Sequence, residues 1–271
     1  MIKKLKRYFE MMLVYSKYNI QSSLEYPAYL IGWVFSNALQ FAFGVITLNV
    51  ITSNFQPLGG WTFNQVVFMY GLGIISHGLS VVLFVQMWYM DYSVTEGEFD
   101  RLLTRPLSTF FQYSFSNINF IGFTDMIPGI IIFIYGCISI GFSCSFINII
   151  RLILVIVGAT LLRGGIYTII GSLSFWVKRT NKLIDVSLQI FDYSNKYPIS
   201  IYPVILQSVL TFLIPVGFIC FYPASEFLNI ETTFHIPGSL CLWTLFIGIM
   251  TYIISIVIYH CGIKSYESSG S

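Results

Sequence analysis

Uncharged apolar runs of about 20 residues recur along this chain, the first opening at Pro27 just past Glu25. A run of that length crosses a hydrocarbon core of roughly 30 Å when it is helical, at about 1.5 Å per residue. In lipid the backbone has no water to bond, so such a run satisfies its own N–H and C=O groups as a helix. The chain has 56% hydrophobic residues and only 10% charged ones, and its mean hydropathy is +0.76. A soluble domain lacks the polar surface to cover that much apolar matter. The reading is an all-α integral membrane protein.

Six transmembrane helices are expected, near 28–52, 63–87, 117–141, 148–174, 201–222 and 238–261. They form one six-span domain over 27–264. Ahead of it, in residues 1–26, Lys3, Lys4, Lys6, Arg7 and Lys17 alternate with Leu5, Phe9, Met12, Leu13 and Ile20 at helical spacing. That pattern predicts an N-terminal amphipathic helix lying on the lipid interface. The apolar run that follows exceeds the core of a signal peptide and lacks a small-residue cleavage site, so it reads as retained. The polar residues 265–271 read as a disordered tail.

Charge placement orients the spans. Besides the five N-terminal cations, Arg101, Arg105, Lys178, Arg179, Lys182, Lys196 and Lys264 all fall on one side of a six-span layout. The loops 53–62, 142–147 and 223–237 hold no Lys or Arg. By the positive-inside rule both termini are expected in the cytoplasm. A net charge of +2 gives no ground for nucleic acid binding. The five cysteines show no disulfide framework and no metal-ligand spacing.

Two cations lie within the fourth span. Arg151 is near its outer end and can snorkel, whereas Arg163 sits near mid-depth, where a charge costs about 2.5–3.5 kcal/mol on insertion scales. Asp125 in the third span lies at a similar depth and is the expected ion-pair partner. Gly122, Gly129 and Gly136 recur every seven residues beside it, a small-residue stripe for close helix approach. Gly158, Gly165 and Ser172 form a second stripe on the fourth span. The plainer reading of an Asp125–Arg163 pair is packing, with no part in transport. His77 reads as a lone packing histidine, and a proton relay there is the sharper alternative.

Between the second and third spans the sequence EGEFDRLLTRP concentrates charge: Glu96, Glu98, Asp100, Arg101 and Arg105. Thr95 and Glu98 have the spacing of a capping box, predicting a helix start. Phe99, Leu102 and Leu103 share one apolar face, and Pro106 ends the helix. A lipid anchor would be mainly basic on its polar side. Mixed charge with apolar teeth suits a groove on a partner protein.

The segment GEFDRLLTRPLS, with Gly97, Asp100, Leu103, Arg105 and Pro106, resembles the cytoplasmic stretch of bacterial type 2 ABC exporter permeases, in a branch of uncharacterised transport-system permeases. YPISIYP at 197–203 and FLIPVGFICFYPASEFL at 212–228 resemble that branch's fifth span and the outer segment after it. The resemblance implies a membrane subunit, not itself an enzyme, of a cell-membrane exporter. It implies two permease subunits, identical or different, and two separate ATP-binding subunits that hold ATP and Mg, with no cofactor on this chain. A cytoplasmic coupling helix over Glu96–Pro106 would rest in a groove of the ATP-binding subunit. Re-entrant outer helices would lie between spans five and six, with Pro215, Tyr222 and Pro223 as outer gate candidates. The chain has no G-x-x-x-x-G-K-[ST] sequence, so it has no P-loop of its own.

Two other functions compete. A membrane-embedded enzyme needs polar groups converging at one depth, and His77, His235 and His260 fall at three different depths. An ATP-independent channel or secondary carrier would carry more polar residues along its spans, or inverted repeats with broken helices. Aromatic residues make up 18% of the chain. Walls rich in Phe and Tyr suit amphipathic cargo of lipid-like, drug-like or peptide character.

Overall fold

A computed structural model describes the backbone of residues 2–54, 58–177 and 179–267, and their side chains except those of residues 2–7, 9 and 23. The basic side chains of Lys3, Lys4, Lys6 and Arg7, the residue Lys178 and the tail end 268–271 therefore lie outside the described residues. Among the described residues the chain is mostly helical. In order run α1 (Ile2–Glu25), α2 (Pro27–Asn54), α3 (Phe63–Phe84), α4 (Met90–Thr95), α5 (Glu98–Leu103) and α6 (Thr109–Phe115). Then follow α7 (Gly122–Ser139), α8 (Phe146–Ser172), α9 (Asn181–Lys196), α10 (Val204–Ser208), α11 (Phe221–Leu228) and α12 (Leu240–Lys264). Among the described residues no strand occurs beyond one isolated bridge, Leu58 with Trp61.

Among the described residues, five segments are long and apolar enough to cross a membrane: Pro27–Asn54, Phe63–Thr95, Gly122–Ser139, Phe146–Phe175 and Leu240–Lys264. The second joins α3 to α4 through a 3-10 turn at Val85–Tyr89. Local chemistry sets the ends. The Thr62 N–H donates to Gln65 Oε1 at 2.9 Å where α3 begins, and Ser145 Oγ accepts from the Asn148 N–H at the start of α8. Each takes up a polar group that a helix terminus leaves unbonded.

Helix α3 is the central one. Within its most apolar stretch 83% is buried by the rest of the protein, against 22% for α2, α7 and α12. The seven-residue stripe of α7 makes this possible. A methyl at Gly122 would sit 2.7 Å from the Gly78 carbonyl oxygen, and one at Gly136 2.7 Å from Phe68 Cα. The stripe of α8 meets α12 in the same way, with a methyl at Gly158 falling 2.6 Å from Leu245 Cα. Small residues let these backbones touch and gain dispersion contacts along their length.

The expected fifth span, 201–222, is not one helix. Helix α10 runs into a wide turn at Val209–Leu213, the chain breaks at Ile214 and Pro215, and a 3-10 turn at Val216–Phe218 leads to α11. Pro215 has no N–H to donate and cannot continue the helix. The stretch from Ser200 to Glu226 instead dips inward and returns. The Ser200 hydroxyl bonds the Gly59 carbonyl at the head of α3. Cys220 Sγ donates to the Ser194 carbonyl deep in the bundle. Glu226 then accepts from Ser239 Oγ and from the Cys241 N–H at the head of α12, at 2.8 and 2.7 Å.

Helix α9, expected within a cytoplasmic loop, lies along α3. Its Asn181 N–H donates to Asp91 Oδ2 in α4 at 3.0 Å. Its Asn195 packs against Gly73, at the middle of α3. Lys196 therefore stands deep beside α2, near Gly44 and Thr47, and not with the loop cations. Its ammonium donates to the Asp192 carboxylate at 2.6 Å.

Candidate functional site

The charged turn is built on a two-helix corner. Gly97 adopts φ 71°, a left-handed conformation that a side chain would strain, and it separates α4 from α5. Thr95 is thus the last residue of α4 and not a helix cap. Its hydroxyl donates back to the Asp91 and Tyr92 carbonyls at 2.9 and 3.0 Å, the local bond that Thr makes inside a helix.

The expected apolar face also divides. Phe99 points inward with no exposed surface. Its ring meets Tyr113 at 5.0 Å, Phe175 at 5.2 Å, Tyr266 at 5.8 Å and Tyr259 at 6.4 Å. Leu102 is half-buried against the same cluster. Leu103 alone turns outward, 49% exposed, among exposed Glu96, Arg101, Thr104, Arg105 and Pro106. Glu98 and Asp100 are half-buried. Burial holds the Tyr113 phenol well above its ordinary pKa, with the Glu98 carboxylate adding to the shift. The Tyr113 hydroxyl still donates to the Gln86 carbonyl at 3.0 Å and lies 3.2 Å from Ser93 Oγ. The outer rim of α5 is therefore charged, and its inner face is fixed to α6, to the end of α8 and to α12.

The second feature is a cavity of about 480 Å³ bounded by α2, α3, α7, α8 and α9. Asp125 lies in its wall, its carboxylate accepting from Asn37 Nδ2 of α2. His77 Nε2 stands 4.0 Å from the other carboxylate oxygen, so His77 is not the lone histidine the sequence suggested. Arg163 lies in the wall as well, fully buried. Its Nη2 donates to Asn195 Oδ1 at 2.7 Å and reaches toward the Gly73 carbonyl at 3.5 Å. Its guanidinium carbon stands 4.8 Å from the centre of the Phe191 ring, a cation–π contact.

The expected Asp125–Arg163 ion pair does not form. The two depths agree, but the directions do not. Helices α7 and α8 both pack on α3, and α8 turns its glycine stripe to α12. Asp125 consequently meets α2 and α3, and Arg163 meets α9. Sequence reasoning missed Asn37, Phe191 and Asn195. Only Asn37, polar inside an uncharged run, carried a visible signal.

The gate candidates lie elsewhere. Tyr222 is buried, its hydroxyl 2.6 Å from Thr211 Oγ1, and its ring packs on Phe218 at 4.6 Å. Pro215 marks the break described above. Pro223 sits in the first turn of α11, where a missing N–H is harmless, so it opens a helix and does not break one. None of the three borders the cavity.

Comparison with known proteins places these features in a family. Residues 38–270 match the family model described as ABC-2 family transporter protein. No curated protein matches the chain in sequence. The match spans most of the chain, from the middle of α2 past the end of α12, and takes in the charged turn, the inward dip and the cavity except for Tyr29, Trp33 and Asn37 of its wall. This chain belongs to the ABC-2 family of transporter proteins and is a multi-pass membrane permease.

Proposed function

We propose that this permease is the membrane subunit of an ATP-driven exporter in the cell membrane. It performs no hydrolysis itself. ATP and Mg are held by a separate ATP-binding subunit that docks on the rim of α5. Two permease subunits, identical or paired with a second kind, complete the transporter. Both termini and α5 face the cytoplasm, and α9 serves as the sixth crossing segment beside the five long apolar ones. The 200–226 dip then lies on the outer side, with Pro215 and Tyr222 shaping it.

One observation carries this reading: an exposed charged rim rides on a helix whose other face is locked into the bundle. Leu103, Arg101 and Arg105 are free to meet a partner. Phe99 is packed against Phe175 and Tyr259. A push on the rim is passed through interlocked rings to α8 and α12, because a close-packed core transmits displacement and does not absorb it.

Copurification tests it. The permease is expressed with candidate ATP-binding subunits encoded in the same cells and recovered from membranes. Wild-type protein is expected to bring an ATPase with it. Leu103→Asp is expected to reduce recovery about tenfold or more, and Arg101→Glu severalfold, with permease levels in the membrane unchanged. Equal recovery with both variants would refute docking at α5, and no ATPase in any preparation would favour a channel or carrier.

A further inference from the structure

Arg163 is a cavity cation with no ion pair of its own. Asp125 has Asn37 and His77, and Asp192 has Lys196. Arg163 is buried completely, and among the described residues no carboxylate stands within ion-pair distance of it. Its Nε and Nη1 have no hydrogen-bond partner. The phenol of Tyr167, one turn further along α8, and the Asp192 carboxylate both act electrostatically on the guanidinium, the phenol standing close beside it. A guanidinium keeps its proton in a protein, so this is a cation out of water with two nitrogens unsatisfied. Such an arrangement is costly unless an anion joins it.

The cavity has the form to admit one. Its deep end is Arg163 and Asn195, level with Gly73. It runs along α3 to Trp88 and Tyr89 near the α5 end, about 20 Å away at about 1.5 Å per residue. At that end Tyr29 and Trp33 of α2 are exposed and form its rim. A volume of about 480 Å³ is that of a drug-sized ligand site. An acidic group at the deep end would receive a charge-assisted hydrogen bond from the guanidinium. An apolar body behind it would lie against Phe191, Trp88 and Trp33.

We infer that this cavity binds an amphipathic organic anion, a single carboxylate or phosphate on a slender apolar body, with Arg163 as its anchor and Asn195 as the residue that positions the guanidinium. Calling that ligand the cargo rests on the exporter reading above; the binding itself does not. Under the proposed orientation the aromatic mouth opens toward the cytoplasmic side, where an exporter collects its substrate.

Equilibrium dialysis of the purified permease in phosphatidylcholine nanodiscs tests the site, with empty discs as the blank. The probes are decanoate, decylammonium and inorganic phosphate. Decanoate is expected to bind saturably, about one per chain and at least tenfold more tightly than decylammonium. Arg163→Lys is expected to weaken it severalfold, Arg163→Gln to abolish it, and Asn195→Ala to weaken it less than Arg163→Gln does. If Arg163→Gln is not recovered folded, the discrimination by wild-type protein between decanoate and decylammonium decides alone. Equal binding of the two amphiphiles overturns the assignment, as does decanoate binding that ignores both Arg163 variants. Phosphate bound as tightly as decanoate overturns the amphipathic part. No ATPase is present in this assay, so failure here leaves docking at α5 intact, and failure of copurification leaves this result intact.

Discussion

Phe99 lies where sequence and structure part company at the scale of single residues. By spacing it shares a face with Leu102 and Leu103, and that face reads as a docking surface. In the structure the three divide the work: Phe99 holds the helix to the bundle, and Leu103 remains outside. The two substitutions should therefore separate. Phe99→Ala removes a ring that touches four aromatic neighbours and is expected to destabilise the protein by about 3–5 kcal/mol, read as a lower unfolding temperature in detergent. Leu103→Asp, on the exposed rim, is expected to leave that temperature within a degree or two. A large drop for Leu103→Asp would mean that the rim is structural. The same contrast explains Asp125 and Arg163. Depth can be counted along a sequence, because each residue adds a fixed rise. Direction around a helix axis depends on which neighbour each stripe meets, and that is a tertiary fact.

Elements were legible in proportion to how apolar they are. The runs at 28–52, 63–87, 148–174 and 238–261 became α2, α3, α8 and α12 with ends shifted by a few residues. Helix α9 was hidden because its sequence, NKLIDVSLQIFDYSNK, carries four charges. Its polar groups find partners nonetheless: Asn195 on the buried Arg163, Lys196 on Asp192 of the same helix, and the Asn181 N–H on Asp91 of α4. A helix that pairs its charges along its own length and its amides with its neighbours looks like a solvated loop in a hydropathy reading. The glycine stripes were legible, and they yield a prediction at this scale. Gly122→Val would drive a side chain into Gly78 and Val82, and is expected to cost well over 1 kcal/mol and reduce folded yield sharply. Gly32→Ala, with nothing within 4 Å of the added methyl, is expected to leave yield unchanged. Fluorescence-detected gel filtration of the two variants checks this. The dip between Ser200 and Glu226 is tied to α12 by one carboxylate. Glu226→Ala strips two acceptors from the head of α12 and is expected to lower the unfolding temperature by several degrees.

At the scale of the whole molecule, the two ends of the bundle differ in kind. One end carries the charged rim, the aromatic cluster beneath it and the aromatic mouth of the cavity. The other carries Trp61, Glu226 and the inward dip, with Arg151 standing 3.8 Å from Glu226. An exporter needs this polarity: a cytoplasmic end that a motor grips and from which cargo enters, and an outer end that opens. Everything turns on which end faces the cell interior. The chain supplies its own control, since Cys144 is exposed in the α7–α8 loop at the end opposite α5. The direct measurement is labelling of Thr104→Cys in intact cells with a membrane-impermeant maleimide, with Cys137, Cys220, Cys241 and Cys261 replaced. Cys144 is expected to be modified in intact cells and the residue at 104 only after permeabilisation. Modification at 104 from outside, with Cys144 protected, would contradict the account.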